Sequence, residues 1–124
     1  MRQTISTDAA PAPVAAYAQG SRIGSVLAVA GQVGMDPATG AVADGVAAQT
    51  EQALRNVRSV LQAAGCDLED VVRMDCYLTS QEHFAPFNEV YARWFPGDAP
   101  ARATVVVGLA DGLDVEIVAL AVTE

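Results

Sequence analysis

One arginine stands out among the residues that could do chemistry, because it opens an apolar, strand-like segment. The segment "PARATVVV", residues 100–107, is typical of a buried strand, yet Arg102 lies near its start. A guanidinium carries a permanent charge and five N–H donors that need acceptors wherever it is buried. Arg102 could form an internal salt bridge or extend its charge into water at the strand end. It could instead hold an organic carboxylate through two parallel hydrogen bonds.

Other common catalytic sets are poorly represented in the sequence. His83 is the only histidine, and its predicted place on the polar face of a helix disfavours a Ser-His-Asp triad. All seven cationic residues are arginines, which excludes a Schiff base through lysine and a phosphate-loop lysine. No glycine-rich nucleotide motif is present either. The adjacent acids Glu69 and Asp70 are typical of a solvated turn before a strand.

The two cysteines do not indicate a metal site. Cys66 and Cys76 lie ten residues apart, a spacing that matches no zinc motif, and only one histidine is available as a further ligand. Cys76 alternates with polar neighbours and is predicted to face the core. We expect both thiols to be reduced, with no metal and no cofactor bound.

Composition limits the class of protein and its partners. The 124 residues are 52% hydrophobic and carry a net charge of −8, which suits one domain with a single core. The acidity disfavours nucleic acid and anionic membranes as partners. No apolar run reaches the roughly 18 to 20 residues that span a bilayer, and no secretory signal follows Arg2, so we expect a cytoplasmic protein. The surplus of apolar residues predicts an oligomer.

The first half of the chain is predicted to hold three strands and a helix. "RQTISTD" has the alternation of an edge strand. A hairpin is expected next, with one strand through Tyr17, a turn near Gly20 to Gly24 and a second strand over Val26 to Val33. Gly31 interrupts the second strand, as glycine does at a bulge or a close backbone approach. Residues from Val46 to Ala64 have helical spacing and end before a glycine.

The second half is predicted to hold a strand, a helix and two final strands. In "VVRMDCYLTS" the alternation places one set of side chains on a single face, namely Val72, Met74, Cys76 and Leu78. Ser80 is expected to cap a helix that starts near Ala85 with Pro86 in its first turn. The final strands are expected at Ala101 to Gly108 and Val115 to Val122. The order β-β-β-α-β-α-β-β predicts an α+β fold with both helices on one face of a six-stranded mixed sheet.

Several motifs occur together in a fixed order. They are "YAQG", "AGQVG", "TGAV", the helix "QTEQALRNVRSVLQAAG", "VVRMDCYLT", "FNEVYARWF", "PARATVVVGL" and "VEIVALAV". With them the chain resembles the RidA (YjgF-like) family of reactive-intermediate deaminases over nearly its whole length, as one domain from residue 1 to 124. The resemblance implies a chorismate-mutase-like fold and a homotrimer whose sheets form a central barrel, with ligand clefts between subunits. It also implies hydrolysis of 2-aminoacrylate and related imino acids to 2-keto acids and ammonia, without metal or cofactor.

The resemblance assigns roles to residues of the cleft. Arg102 matches the arginine that binds the substrate carboxylate. Tyr17, Gly31 and Asn88 match other cleft residues, with Asn88 reaching across the subunit interface. Without the family, strand packing would equally explain Tyr17, and a surface position on a helix would equally explain Asn88.

Three cleft positions depart from the family pattern. Ala30 stands in place of a serine, and Thr104 stands in place of a cysteine, although its backbone amide could still bind substrate. Val118 replaces the second of two glutamates on the last strand, the one thought to position the attacking water. Glu116 keeps the first position, on the same face and about 7 Å away. Glu116 would therefore need a water bridge or a bend to substitute, or it could pair structurally with an arginine.

Three functions remain open on these grounds. The first is a broad-specificity deaminase of 2-enamine and 2-imino acids, in which Arg102 holds the carboxylate and backbone amides near Gly31 and Thr104 orient it. The second is a biosynthetic enzyme that catalyses a non-hydrolytic condensation, cyclisation or tautomerisation, because the pocket has lost a carboxylate and a hydroxyl. The third is a non-catalytic trimer that binds 2-keto or 2-imino acids.

Overall fold

The computed structural model describes residues 1–124 and shows two helices on one face of a six-stranded sheet. The strands are β1 (Gln3–Ile5), β2 (Gly20–Ile23), β3 (Val26–Val33), β4 (Val71–Leu78), β5 (Ala101–Val106) and β6 (Val115–Val122). The helices are α1 (Val46–Ala63) and α2 (Phe84–Trp94), and short 3-10 turns cover Leu68–Asp70 and Gln81–His83. The predicted element order and α+β class are confirmed. Neither helix is long and apolar enough to cross a membrane.

The sheet is mixed because one of its neighbouring pairs is parallel. The strand order is β1-β2-β3-β6-β4-β5, and only β4 and β5 run parallel. The last two strands are therefore not a hairpin. β6 enters between β3 and β4, while β5 remains at the edge of the sheet with one side unpaired within the chain. This edge position determines where Arg102 lies.

Helix α1 ends where the sequence predicts. Its apolar stripe, which includes Leu54, Val57 and Leu61, is fully buried against the sheet. Gly65 follows the helix with a φ of 77°, a left-handed conformation that glycine adopts at little cost. The guanidinium of Arg22 on β2 donates a hydrogen bond of 2.7 Å to the carbonyl of Ala64, which satisfies one of the free carbonyls at the helix end.

The start of α2 also follows its sequence signals. The Ser80 hydroxyl accepts a 3.2 Å hydrogen bond from the Glu82 amide and caps the 3-10 turn that leads into the helix. Pro86 lies in the first turn of α2, where its missing N–H leaves no intrahelical bond unmade. Phe87 and Tyr91 face the core one turn apart, so α2 presents an aromatic surface to the edge of the sheet.

Two sequence predictions about strands are wrong. Tyr17 does not lie in a strand, because β2 starts only at Gly20. The buried amide of Gln19 instead bonds the backbone of the preceding segment, which holds that segment without a strand ladder. In β4 the register shifts between Val71 and Arg73, so Val71 is buried while Val72 is 48% exposed. A bulge of this kind changes the face to which the next side chain points.

The helices cover only one of the two faces of the sheet. The face toward the helices carries the buried core, including Leu27, Met74 and Ile117. The opposite face, which we call the open face, has no layer of the chain packed over it. Its strands present mainly small and apolar side chains there, namely Val26, Ala28, Tyr77, Ala101, Ala103, Val105, Val118, Leu120 and Val122. An apolar sheet face of this extent is typical of a subunit interface.

Candidate functional site

The Arg102 side chain lies on the helix side of the edge strand, against aromatic residues of α2. Arg102 pairs in register with the buried Met74, so its side chain shares the face that α2 covers. Its Cζ lies 4.6 Å from the ring centroid of Tyr91, 5.6 Å from that of Phe87 and 5.7 Å from that of Phe84. These separations lie within the range of cation–π attraction. We call the three rings the aromatic platform.

Most of the hydrogen-bonding capacity of Arg102 is free in this chain. Its Nη1 donates one bond, of 2.8 Å, to the side-chain carbonyl of Asn88. A guanidinium has five N–H donors, so four remain without an acceptor from the protein. None of the ion pairs of the chain includes Arg102, and the residue is exposed. The internal salt bridge considered from the sequence is therefore wrong.

The groups beneath Arg102 are neutral at ordinary pH. Burial raises the pKa of the Cys76 thiol to about 12, although the Arg102 charge opposes the change. Burial also raises the pKa of Tyr91 to about 12, and the proximity of Cys76 adds to the effect. The hydroxyls of Tyr91 and Thr104 are buried with no hydrogen-bond partner. Neither Cys76 nor Tyr91 can therefore serve as a counter-ion for Arg102 at neutral pH.

A second group of predicted site residues lies around a small cleft on the other side of the sheet. The cleft has a volume of about 220 Å³. Tyr17, Gly31 and Glu116 line it together with Pro11, Ala12, Val14, Gln32, Val33, Met35 and Leu113. We call it the Tyr17 cleft. The Tyr17 hydroxyl accepts a long hydrogen bond of 3.4 Å from the Val14 amide, and the residue is 48% exposed.

Gly31 and Glu116 approach each other closely within the Tyr17 cleft. A Cβ placed on Gly31 would lie 2.8 Å from Cδ and 2.9 Å from Oε2 of Glu116. Glycine at this position therefore makes room for the carboxylate, as its interruption of the strand pattern suggested. Glu116 belongs to none of the ion pairs, so the structural pairing with an arginine considered from the sequence is wrong.

The remaining departures from the family pattern lie beside this cleft. Ala30 lines an adjoining hollow of about 400 Å³ that shares Tyr17 as a wall. Val118 pairs with Asp75 of β4 and lies on the open face, as Glu116 does, so the shared face predicted from the alternation is confirmed. An apolar side chain thus occupies the sheet position next to the Glu116 carboxylate.

The cleft is shaped by buried polar side chains that the sequence analysis missed. The Gln19 amide accepts from the Thr7 amide at 2.7 Å and donates to the carbonyls of Ala10 and Pro11. The fully buried Asn56 donates 2.9 Å bonds to the carbonyls of Val33 and Met35. Both side chains fix loops that line the Tyr17 cleft. The only sequence signal for Asn56 is a polar residue within the apolar stripe of α1.

The two groups of site residues cannot meet within one chain. Arg102, Thr104 and Asn88 lie at the helix side of edge strand β5, whereas Glu116 points to the open face from β6. Strand β4 separates β5 from β6, which places their axes about 10 Å apart. The sheet itself lies between the guanidinium and the carboxylate. Within one chain, the two groups therefore face opposite sides of the sheet.

A larger concavity on the helical surface offers no free cation. It measures about 680 Å³ and is lined by Glu51, Arg58, Asp67, Leu68, Glu69, Arg93 and Trp94. Arg58 donates a 3.0 Å bond to Asp67, and the indole of Trp94 donates one of 3.0 Å to Glu51. Burial tends to raise the pKa of Asp67, but the Arg58 hydrogen bond and others outweigh it and lower that pKa. Because both of its arginines form ion pairs with carboxylates of the chain, this surface is not the candidate site.

Comparison with known proteins gives consistent matches over nearly the whole chain. The family model described as Endoribonuclease L-PSP matches residues 7–123. A rat protein named 2-iminobutanoate/2-iminopropanoate deaminase is 43% identical over 124 residues, which cover 98% of this chain and 90% of the rat protein.

Solved structures show the same fold at high similarity. RidA from an Antarctic Psychrobacter superposes with a TM-score of 0.94 at 40% identity, covering 98% of this chain and 99% of that one. E. coli TdcF, whose structure contains bound serine, gives a TM-score of 0.95 at 33% identity, again covering 98% and 99% of the two chains.

Proposed function

Since the chain belongs to the Ribonuc_L-PSP (YjgF/RidA) family, we propose that it hydrolyses small 2-enamine and 2-imino acids to 2-keto acids and ammonia. The observation that carries the proposal is the state of Arg102. Its guanidinium is exposed, has no acid partner in the chain and keeps four donors free. A planar cation in this state is suited to a bidentate carboxylate.

The named activities of relatives support this substrate class. The rat relative is named for deamination of 2-iminobutanoate and 2-iminopropanoate, which are short 2-imino acids. The TdcF structure holds serine, a small molecule with a carboxylate beside a substituted carbon. A 2-imino acid combines the same carboxylate with a reactive C=N bond at the adjacent carbon. Arg102 would hold the carboxylate, and backbone amides near Gly31 and Thr104 would orient it.

The proposed reaction is the addition of water to the imine carbon. Water forms a C–O bond while the C=N electron pair moves to nitrogen, and the water proton passes to a base. The base returns this proton to the nitrogen, which gives an amino alcohol. Its nitrogen then takes up a second proton, equivalent to the one that its hydroxyl releases, as the C–N bond breaks, ammonia leaves and the C=O bond forms. Glu116 is the carboxylate nearest to that chemistry in the Tyr17 cleft and would accept the water proton. The reaction needs no oxidant or reductant.

The proposal includes assembly of the site from two subunits of a homotrimer. One subunit would contribute Arg102, Asn88 and Thr104, and its neighbour would contribute the Tyr17 cleft with Glu116. The opposed faces of these two groups and the apolar open face both support such an assembly. Asn88 already contacts Arg102 in its own chain, so its reach across the interface would be toward the neighbour's cleft.

A non-hydrolytic reaction is the second candidate, and one observation favours it. Val118 places an apolar side chain beside Glu116 on the open face, and Ala30 removes a hydroxyl from the adjoining wall. A drier cleft holds water less well, so a bound imine or enamine could condense, cyclise or tautomerise instead. A protein that binds keto acids without any turnover would represent the third, non-catalytic alternative.

The endoribonuclease in the description of the family model is not our proposal. The chain carries 15 acidic residues against seven arginines, so its overall field repels a phosphate backbone. Four of the seven arginines are already engaged in ion pairs with carboxylates of the chain. An RNA substrate would require a basic surface that these residues do not supply.

The test is acceleration of imine hydrolysis. An amino-acid oxidase would generate imino acids in place, and ammonia release would be followed with wild type, Arg102→Ala and Arg55→Ala. Arg55 forms only an exposed ion pair with Glu51, which makes it a matched control for loss of an arginine. Loss of two charge-assisted hydrogen bonds at about 1.5 kcal/mol each predicts a fall in kcat/KM of at least about 100-fold for Arg102→Ala.

The possible outcomes test the assigned site and distinguish hydrolysis from the other two functions. Acceleration that survives Arg102→Ala would disprove the assigned site. A wild-type protein that binds 2-ketobutanoate without accelerating ammonia release would favour the non-hydrolytic or the binding function. If the protein is a deaminase, Arg55→Ala should retain wild-type activity. If it binds 2-ketobutanoate without turnover, Arg55→Ala should retain wild-type binding.

A further inference from the structure

We propose that Tyr91 is a positioning residue, whose ring face holds the Arg102 guanidinium in the orientation that receives the substrate carboxylate. The inference rests on the proposed function of Arg102 and extends it to a residue one layer further from the substrate. It assigns the effect to the aromatic ring and not to the phenolic oxygen.

Tyr91 makes the closest contact between the aromatic platform and Arg102. Tyr91 is the nearest of the three rings to the Arg102 Cζ, at 4.6 Å, and the other two lie about 1 Å further away. Tyr91 is itself 4% exposed, whereas Phe84 is 42% exposed. A buried ring has few alternative positions, so Tyr91 offers the guanidinium the more rigid contact.

Tyr91 is held in place by aromatic neighbours along α2 and just after its end. Its ring centroid lies 5.6 Å from that of Phe87 and 4.9 Å from that of Phe95. The spacing of four residues between these positions places all three rings on one side of the helix end. The row fixes the plane of Tyr91, and Tyr91 in turn limits the planes available to Arg102.

Arg102 needs a contact that limits the orientation of its guanidinium. It extends from an edge strand, is exposed and makes one hydrogen bond, to Asn88. A free arginine side chain loses about 2 kcal/mol of rotamer entropy when it is ordered. The Asn88 bond fixes one nitrogen and the Tyr91 face fixes the plane, so part of this ordering is complete before a ligand arrives.

The phenolic oxygen of Tyr91 does not contribute to the contact with Arg102. The Tyr91 hydroxyl is buried and has no hydrogen-bond partner. Burial raises the pKa of this hydroxyl to about 12, so it is neutral at ordinary pH and supplies no charge to Arg102. What Tyr91 contributes to Arg102 is therefore the negative face of its ring. Phenylalanine should replace it, and an aliphatic residue should not.

The experiment compares Tyr91→Phe, Tyr91→Leu and Tyr91→Met with the control Phe95→Leu. Phe95 contacts Tyr91 but is not one of the rings around Arg102, so the control removes a neighbouring ring without touching the guanidinium. Each variant would be measured for KM, kcat and the Kd of 2-ketobutanoate. Tyr91→Met supplies a longer and more flexible side chain that adapts to the space of the ring, in case the leucine variant unfolds.

We expect a selective effect on carboxylate binding. The carboxylate is unchanged during the reaction, so loss of its positioning should raise KM and the keto-acid Kd while kcat changes less. The range of cation–π energies predicts a rise of about 3- to 30-fold for Tyr91→Leu and Tyr91→Met. Tyr91→Phe should remain within about twofold of wild type, since it keeps the ring beside Arg102. Phe95→Leu should raise Kd less than Tyr91→Leu does, because it loosens the Tyr91 ring without removing it. In an Arg102→Ala background, Tyr91→Leu should have no further effect on Kd.

Other outcomes would overturn the inference. If Tyr91→Phe lost as much affinity as Tyr91→Leu, the hydroxyl would be the active group. If Phe95→Leu raised Kd as much as Tyr91→Leu, the effect would be general loss of packing. A wild-type protein that binds 2-ketobutanoate without turnover would refute the proposed deaminase activity alone, since the Kd comparison would still decide the role of Tyr91. A wild-type protein that neither binds 2-ketobutanoate nor accelerates ammonia release would overturn both.

Discussion

At the scale of single residues, the most consequential position is Val118. It lies on the same face of β6 as Glu116 and is paired with Asp75 on the neighbouring strand. Attack by water on an imine carbon is faster when a carboxylate holds the water and accepts its proton, an effect typically worth about 10²- to 10⁴-fold. The Glu116 carboxylate lies against Gly31, and no second carboxylate follows it on this face of β6. We therefore expect hydrolysis to be limited by how well water is held.

A carboxylate at position 118 should accelerate ammonia release. We expect Val118→Glu to raise kcat by about 10- to 100-fold, which is toward the low end for a general base because the new side chain would lie opposite Asp75. The measurement is kcat for ammonia release from oxidase-generated imino acids. Val118→Gln, which has the size of glutamate but no carboxylate, is the control and should not raise kcat to this extent. An unchanged kcat in Val118→Glu would show that water is already positioned by other groups.

At the scale of secondary-structure elements, the site depends on how closely α1 approaches the end of β3. A Cβ on Gly34 would lie 2.5 Å from the backbone Cα of Gln49, so the helix could not occupy its present place beside any larger residue. Gln49 and Asn56 of α1 then bond the loops at that end of the sheet, through Asp114 and Val33 respectively. The helix thus shapes the Tyr17 cleft although none of its residues lines it.

Replacement of Gly34 should destabilise the fold and loosen the cleft. We expect Gly34→Ala to lower the stability of the protein by about 1 to 3 kcal/mol, because α1 must move away from β3. This corresponds to a fall in Tm of about 4 to 12 °C for a chain of this size. Gly97→Ala is the matched control, since a Cβ there meets no atom within 4 Å, and its Tm should be unchanged. Equal Tm values for the two variants would contradict the close approach of α1 and β3.

At the scale of the whole molecule, the open face of the sheet exposes an apolar surface that we expect a second subunit to bury. Most of its side chains are small or aliphatic, and Val26, Val105 and Val122 are among the exposed large hydrophobic residues of the chain. The helices cannot cover it, because both lie on the other face. Assembly of the chain through this face would bury the apolar surface and bring Arg102 and Glu116 of different subunits to a common cleft.

A charge at the centre of the open face should prevent assembly. Ala28 is exposed on β3 and faces away from the helices, so Ala28→Arg should leave the fold of one chain intact and reduce the trimer to smaller species. Light scattering after size-exclusion chromatography would give the mass. Ala63→Arg, on an exposed position of α1, is the control and should remain trimeric. If wild type is a monomer, or Ala28→Arg is still a trimer, the proposed assembly through the open face is wrong.

Prediction from sequence succeeded where the signal is local and periodic. The buried stripe of α1, the cap formed by Ser80 and the end of the helix before Gly65 depend on neighbouring residues alone. Prediction failed where a distant contact replaced the local pattern. Tyr17 has the surroundings of a strand residue, but the Gln19 side chain holds that segment instead. The β4 bulge that exposes Val72 likewise reflects pairing with β6, which is far away in sequence.

The sequence by itself determined the α+β class, the family and the choice of Arg102 as the residue of interest. Composition, periodicity and ordered motifs depend only on the order of residues along the chain and not on contacts between distant segments. Only the tertiary structure decided that Arg102 has no acid partner, that Tyr91 supports it and that Glu116 lies on the other side of the sheet. The physical reason is that β6 enters the sheet between β3 and β4. That long-range pairing places residues on opposite faces, and no local pattern encodes it.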